Sequence, residues 1–165
     1  MHVHDLMTQE VIVVHPDTSI QEIARRMVAH AISSLPVVDS AGHLMGIVTE
    51  ADLVARHAPP DAPAYYPLLW GLIPLRLSDY TRWKDHVRHI LAVNAAQLMT
   101  AQPRTIHPDA SIEEAAKLMM RPGHNALPVV DAQNRLLGIL TRADLVRFIA
   151  QLEAGDPEEA ADREP

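Results

Sequence analysis

The chain carries the same stretch twice. Residues 6 to 54, LMTQEVIVVHPDTSIQEIARRMVAHAISSLPVVDSAGHLMGIVTEADLV, align with residues 98 to 146, LMTAQPRTIHPDASIEEAAKLMMRPGHNALPVVDAQNRLLGILTRADLV, over 49 positions without a gap and with 24 identities. Unrelated segments of ordinary composition match at only a few such positions, so the chain is built from two copies of one unit. A half-unit with its own apolar faces buries them against its twin, and the duplication therefore constrains the architecture before any other feature does. It also implies that whatever binds here binds at equivalent places, once per repeat.

Within the first copy, Val11 to Val14 is a short β-branched run closed by His15-Pro16 and reads as a strand. Ser19-Ile20-Gln21-Glu22 and Ser111-Ile112-Glu113-Glu114 fit Ser-x-x-Glu, whose hydroxyl and carboxylate can satisfy the free amides of a helix start. Ile20, Ala24 and Met27 recur at helical spacing, as do Ile112, Ala116 and Met119, giving each helix one apolar face. Leu35 to Val38 and Leu127 to Val130 read as short strands. Turns at Asp39 to Gly42 and Asp131 to Asn134 join them to Leu44–Val48 and Leu136–Leu140. A last helix begins at Thr49 and at Thr141. Each repeat is thus β-α-β-β-α, an α/β (α+β) unit.

The divisions that follow are repeat 1 over 1–54, an insert over 55–97, repeat 2 over 98–152 and an acidic tail over 153–165. The insert is the unduplicated part. Its beginning is proline-rich and reads as a loop or broken apolar segment. From Ser78, a candidate cap, Tyr80, Trp83, Val87, Ile90 and Leu91 fall on one side of a helix. Both tryptophans and all three tyrosines lie in this insert. Such a stripe serves either to pack on the repeats or an identical chain, or to dock a different protein.

Composition narrows the function. With 165 residues, 48% of them apolar, the chain can bury roughly two-thirds of its unfolded surface as one module or two small ones fused face to face. Cysteine is absent, which excludes disulfides, thiolate metal sites and cysteine nucleophiles. The net charge is −7; the six acidic residues and one arginine from Glu153 onward contribute −5 of it and leave −2 for the rest. No basic stripe is present, so nucleic acid is excluded as a partner. The N-terminus MHVHDLMTQE lacks the pattern of a secretion signal. The longest apolar run, Pro67 to Leu77, is far short of the roughly 20 residues of a spanning helix. These features predict a cytoplasmic protein with no membrane partner.

The residues with chemistry to offer are Gly46-Ile47-Val48-Thr49-Glu50-Ala51-Asp52 and Gly138-Ile139-Leu140-Thr141-Arg142-Ala143-Asp144. A hydroxyl and a carboxylate three apart where a strand becomes a helix face the same place, beside amides that favour an anion. Thr-x-x-Asp is also an ordinary capping box. The ten histidines do not make a metal site: His2, His4 and Asp5, or His86 and His89, give no set of three or four ligands in a fixed frame. His15 and His107 recur before proline, where they suit a turn.

His-Pro-Asp-x-Ser-Ile, Leu-Pro-Val-Val-Asp and Gly-Ile-hydrophobic-Thr-x-x-Asp, in this order and twice, resemble a tandem pair of cystathionine-β-synthase (CBS) domains, a Bateman module. The resemblance covers about 98 of the 165 residues and leaves the insert aside. It implies repeats packed with pseudo-twofold symmetry, a common homodimeric disk, and two clefts that hold an adenosine compound such as AMP, ADP, ATP or S-adenosylmethionine. It implies no catalytic cofactor. By the same resemblance, Asp52 and Asp144 accept the ribose hydroxyls, while Thr49 and Thr141 lie near the phosphates. Thr8, Ile12, Ile32 and Ser33 line the Asp144 cleft, with Ile12 and Ile32 against adenine; Thr100, Arg104, His124 and Asn125 line the Asp52 cleft. Arg142 suits phosphate and Glu50 repels it. The Asp144 cleft is therefore expected to be the better nucleotide site.

Two functions follow from this sequence: a regulatory sensor of an adenosine ligand, or an oligomerisation or adaptor protein acting through its aromatic insert. An enzyme is not expected. A catalytic barrel such as that of inosine-monophosphate dehydrogenase needs far more chain, and no nucleophile, base and acid set is visible.

Overall fold

A computed structural model describes residues 1–57, 65–68, 71–74, 81, 84, 87, 90–121 and 124–154. In order along the chain these form α1 (Val3–Leu6), α2 (Ile20–His30), β1 (Ser34–Val38), β2 (Leu44–Thr49), α3 (Glu50–Ala55), β3 (Tyr65–Leu68), β4 (Gly71–Pro74), α4 (Ala95–Leu98), β5 (Thr100–Ala101), α5 (Ile112–Met119), β6 (Ala126–Val130), β7 (Leu136–Thr141) and α6 (Arg142–Ala154). The fold is mixed α/β with small antiparallel sheets.

Two compact units arise, and neither is a contiguous half of the sequence. One comprises residues 1–11, 42–44 and 103–165, the other 12–41 and 45–102. Each unit therefore combines the body of one repeat with the arm that precedes the other repeat in the chain.

In the first unit α1 docks on the second repeat. The Val3 amide donates to the Ala110 carbonyl at 2.9 Å and the His4 amide to the Pro108 carbonyl at 3.0 Å. Thr8 bridges Ile139 of β7 through hydrogen bonds in both directions, at 2.9 and 3.0 Å. Val3, fully buried, joins Ile112, Ala115, Met119, Leu127, Val129, Leu140 and Leu145 in one core. In the second unit the same contacts recur with a shift of 92 residues. Ala95 donates to Thr18, Ala96 to Pro16, and β5 pairs with β2 in the register Gly46↔Ala101 and Ile47↔Thr100. Its core is Val14, Ile23, Met27, Leu35, Val37, Val48, Ala92, Ala95 and Leu98. Full burial of each such aliphatic side chain contributes about 1.5–3 kcal/mol, so an arm that supplies several of them is integral to its unit.

The helix starts follow the Ser-x-x-Glu reading in half. Ser19 Oγ accepts the Glu22 amide at 3.3 Å and Ser111 Oγ accepts the Glu114 amide at 3.2 Å. The Glu22 carboxylate turns instead to Arg25 and Arg26. α2 ends on Ala31 in the left-handed region, φ 52°. Ile23 and Met27 form the buried face of α2, and Ile112, Ala115 and Met119 that of α5. The strand expected at Val11–Val14 reduces to a single parallel bridge, Val14↔Val37, matched by Ile106↔Val129 in the other unit. Each bridge is bordered by a proline, Pro36 or Pro128, which accepts from it but has no N–H with which to extend a ladder.

The opening of the insert is not wholly irregular. β3 and β4 pair as Tyr65↔Pro74, Tyr66↔Ile73, Pro67↔Leu72 and Leu68↔Gly71. Both prolines fall in alternate pairs of the same class. In an antiparallel ribbon that class can be the one whose N–H groups point away from the partner strand, where a missing donor costs nothing. Thr81, Lys84, Val87, Ile90 and Leu91 are helical, with Leu91 exposed. Tyr80, Trp83 and the acidic tail beyond Ala154 lie outside the described residues. Among the described residues no helix is long and apolar enough to cross a membrane.

Candidate functional site

The Thr-x-x-Asp pair is built the same way in both repeats. β2 runs straight into α3 and β7 into α6, so the last strand residue is the helix N-cap: Thr49 keeps an extended backbone, φ −117° and ψ 163°. Asp52, three residues on, turns back and its Oδ2 accepts both the Thr49 amide at 2.7 Å and the Thr49 hydroxyl at 2.8 Å. Asp144 Oδ2 likewise accepts the Thr141 amide at 2.8 Å and hydroxyl at 2.7 Å. The capping box is therefore formed, and it has a consequence for binding. It commits one carboxylate oxygen, fixes the rotamer, and leaves Oδ1 as the acceptor for anything else.

The two copies diverge at Oδ1. Asp144 is buried, at 8% exposure, and Arg147 Nη1 donates to its Oδ1 at 3.1 Å. Asp52 is half-buried, and Ala55 stands at the position equivalent to Arg147. Arg142 also has an assignment of its own. Its Nη2 donates to the Met119 carbonyl at 2.6 Å, capping the end of α5 and leaving the rest of the guanidinium fork for a second acceptor. Glu50, its counterpart, is exposed.

The remaining residues singled out by sequence divide between the units. Thr8 shares a unit with Asp144 through its bridge to Ile139, two residues before Thr141; Thr100 shares a unit with Asp52 through its pairing with Ile47. The Ser33 carbonyl accepts the Glu50 amide at 2.9 Å, and the Asn125 carbonyl accepts the Arg142 amide at 3.0 Å. The polar residues just before each Leu-Pro-Val-Val thus border the carboxylate helix of their own repeat. The resemblance places the side chain of Ser33 in the Asp144 cleft and that of Asn125 in the Asp52 cleft. Ile12 and Ile32 are half-buried against the core that contains Val14 and Leu35. Arg104 is exposed and, with His124, belongs to the unit of Asp144. Arg147 escaped the sequence reading because an arginine three residues after an aspartate on a helix looks like any solvated pair.

A CBS domain model matches residues 3–58 and again 95–151. The chain therefore belongs to the CBS domain family, as a tandem CBS pair. CBSX2, a chloroplastic CBS domain-containing protein of Arabidopsis thaliana, is 29% identical over 153 residues. The chain spans 64% of CBSX2, and the match covers 92% of the present sequence. A crystal structure of CBSX2 in complex with AMP has a TM-score of 0.76, with 92% of this chain and 98% of that one covered at 29% identity. The CBS domain pair of protein MJ0100 in complex with 5′-methylthioadenosine and S-adenosyl-L-methionine has a TM-score of 0.66 at 25% identity, covering 92% and 98% of the two chains. Homoserine O-acetyltransferase of Methanococcoides burtonii is 33% identical over 147 residues, 89% of this chain but 24% of the enzyme.

Proposed function

We propose that this chain is a regulatory module that binds an adenosine compound, AMP, ADP, ATP or S-adenosylmethionine, with Asp52 and Asp144 as acceptors of the ribose hydroxyls. The observation that carries the reading is the twice-built cradle, in which a threonine fixes one carboxylate oxygen and leaves the other to accept from a ligand. Capture of AMP by CBSX2 and of 5′-methylthioadenosine and S-adenosyl-L-methionine by MJ0100 supports an adenosine ligand. The small share of homoserine O-acetyltransferase that the chain matches supports a regulatory part rather than a catalytic one. Thr141 and Arg142 are the phosphate-side groups at Asp144, where Asn125 and Thr8 are neighbours. Glu50 stands on that side at Asp52, so an anionic ligand favours Asp144 and a less anionic one suits Asp52.

A ligand that binds only the folded state raises its melting temperature. AMP should do so, and Asp144→Ala should remove most of the shift while Asp52→Ala keeps it. Loss of a hydrogen bond to a charged group costs about 1.5–3 kcal/mol, roughly a tenfold to hundredfold loss of affinity by isothermal titration. Equal affinity in wild type and Asp144→Ala would refute the assignment.

The module acts as a homodimer in this reading. Val54 and Val146, at equivalent positions of the two repeats, are 69% and 65% exposed, and Ile149 and Leu152 add to the exposed apolar surface of α6. Light scattering should give about twice the chain mass; a monomer at micromolar concentration contradicts it.

A further inference from the structure

Resting on the reading of Asp144 as a ribose acceptor, we infer that Arg147 is a built-in competitor for that carboxylate and sets which ligands the second repeat accepts. A ribose diol needs lone pairs on the outer oxygen of the aspartate, because Thr141 already uses Oδ2 through two hydrogen bonds. At Asp144 that outer oxygen faces the Arg147 guanidinium, 3.1 Å away. At Asp52 the hydrogen bonds from Thr49 likewise fall on Oδ2, and the residue at the position equivalent to Arg147 is Ala55, whose methyl side chain carries no donor.

The two guanidiniums near Asp144 therefore do different things. Arg142 is anchored to the Met119 carbonyl beside the start of α6 and suits an anion. Arg147, one turn further along α6 and with 68% of its side chain exposed, pairs with the group that the neutral part of a nucleoside must use. A neutral nucleoside entering at Asp144 has to displace Arg147 and brings nothing to replace it. A nucleotide suffers the same displacement but gains at Arg142. Arg147 thus selects for charged ligands at Asp144, whereas Ala55 puts no guanidinium at the equivalent position beside Asp52.

The contact is a solvent-exposed ion pair on the arginine side, so its competition amounts to about two- to fivefold in affinity. The test uses the full chain and isothermal titration with adenosine, which carries no charge. Asp52→Ala isolates the second site, and adding Arg147→Ala should tighten adenosine by that two- to fivefold. The binding in Asp52→Ala should also strengthen as sodium chloride is raised, because salt screens the competing pair, and this dependence should vanish with Arg147→Ala. In an Asp144→Ala background, Ala55→Arg should weaken adenosine at the first site. Far-ultraviolet circular dichroism confirms that each variant is folded. The inference is overturned if Arg147→Ala leaves adenosine affinity unchanged or weaker, if the salt dependence survives it, or if Asp52→Ala binds no adenosine with or without Arg147. If wild type binds neither adenosine nor AMP, the ribose reading of both aspartates falls, a separate outcome from failure of the competitor alone.

Discussion

Glu22 illustrates how one exposed side chain gains from its place on a helix. It occupies the third position of α2, and its carboxylate accepts from Arg25 Nε and Nη2, both at 2.8 Å, and from Arg26 Nε at 2.7 Å. Arg26 then reaches the Val13 carbonyl at 2.8 Å, tying the helix to the strand-like segment before it. The hydrogen bonds from Arg25 and then Arg26 pull the Glu22 carboxyl from 4.5 down to about 2. Because the folded value lies below the unfolded one, the associated stability is complete above about pH 4.5 and is lost as pH falls through about 2. Glu22→Gln should therefore flatten the acid side of the stability profile, measured by urea unfolding at a series of pH values. Identical acid limbs in the two proteins would exclude the arginine pairing as its source. Lys117 and Leu118 replace Arg25 and Arg26 in the second repeat, so the double fork is a feature of the first repeat's sequence.

At the level of elements, the Gly-Ile strands and the arms laid across them approach too closely for a side chain at Gly46 or Gly138. A Cβ built on Gly46 would lie 2.8 Å from the Thr100 carbonyl oxygen and 2.5 Å from the Met99 sulfur. On Gly138 it would lie 3.0 Å from the Thr8 oxygen and 2.6 Å from the Met7 sulfur. A methionine tip can move aside, but a paired backbone carbonyl cannot. Gly46→Ala should thus destabilise more than Gly138→Ala, within the roughly 1–3 kcal/mol typical of overpacking, as read by chemical denaturation. The reverse order would mean that the arms yield more readily than their hydrogen bonds imply. These glycines were visible in sequence as part of a repeated motif, but their reason was not, because it lies in a segment more than 50 residues away along the chain for Gly46 and about 130 away for Gly138. Local features were the legible ones. Ser19, Ser111, Thr49 and Thr141 mark helix starts by chemistry contained within three residues, and the strands at Leu35 and Leu127 by their own composition. The β3–β4 ribbon was hidden by prolines that break most strands. At the site, the threonine and aspartate pairs were legible for the same local reason, whereas the engagement of Arg142 by Met119 and of Asp144 by Arg147 depends on rotamers that spacing does not specify.

At the scale of the whole molecule, the exchange of arms determines what can fold alone. The 1–11 arm supplies Val3, with Leu6 and Met7 packed beside it, to the core of the second repeat, and 92–98 supplies Ala92, Ala95 and Leu98 to that of the first. A chain divided between the repeats is therefore not divided between the units. Residues 1–57 keep the body of the first repeat but lack three of its nine core residues, all at 1% exposure or less. Residues 90–165 retain those three on a segment with nothing to dock against and lack Val3. Removing several buried aliphatic groups at once costs more than the stability of a typical small domain can absorb. Each fragment expressed alone should therefore show little cooperative unfolding. Mixed at equal concentration, the two should regain the helical circular dichroism of the intact chain and a single sharp transition, at a midpoint that rises with concentration because association has become bimolecular. A fragment that melts by itself at the temperature of the intact protein would show that its arm is dispensable and that the repeats are independent modules.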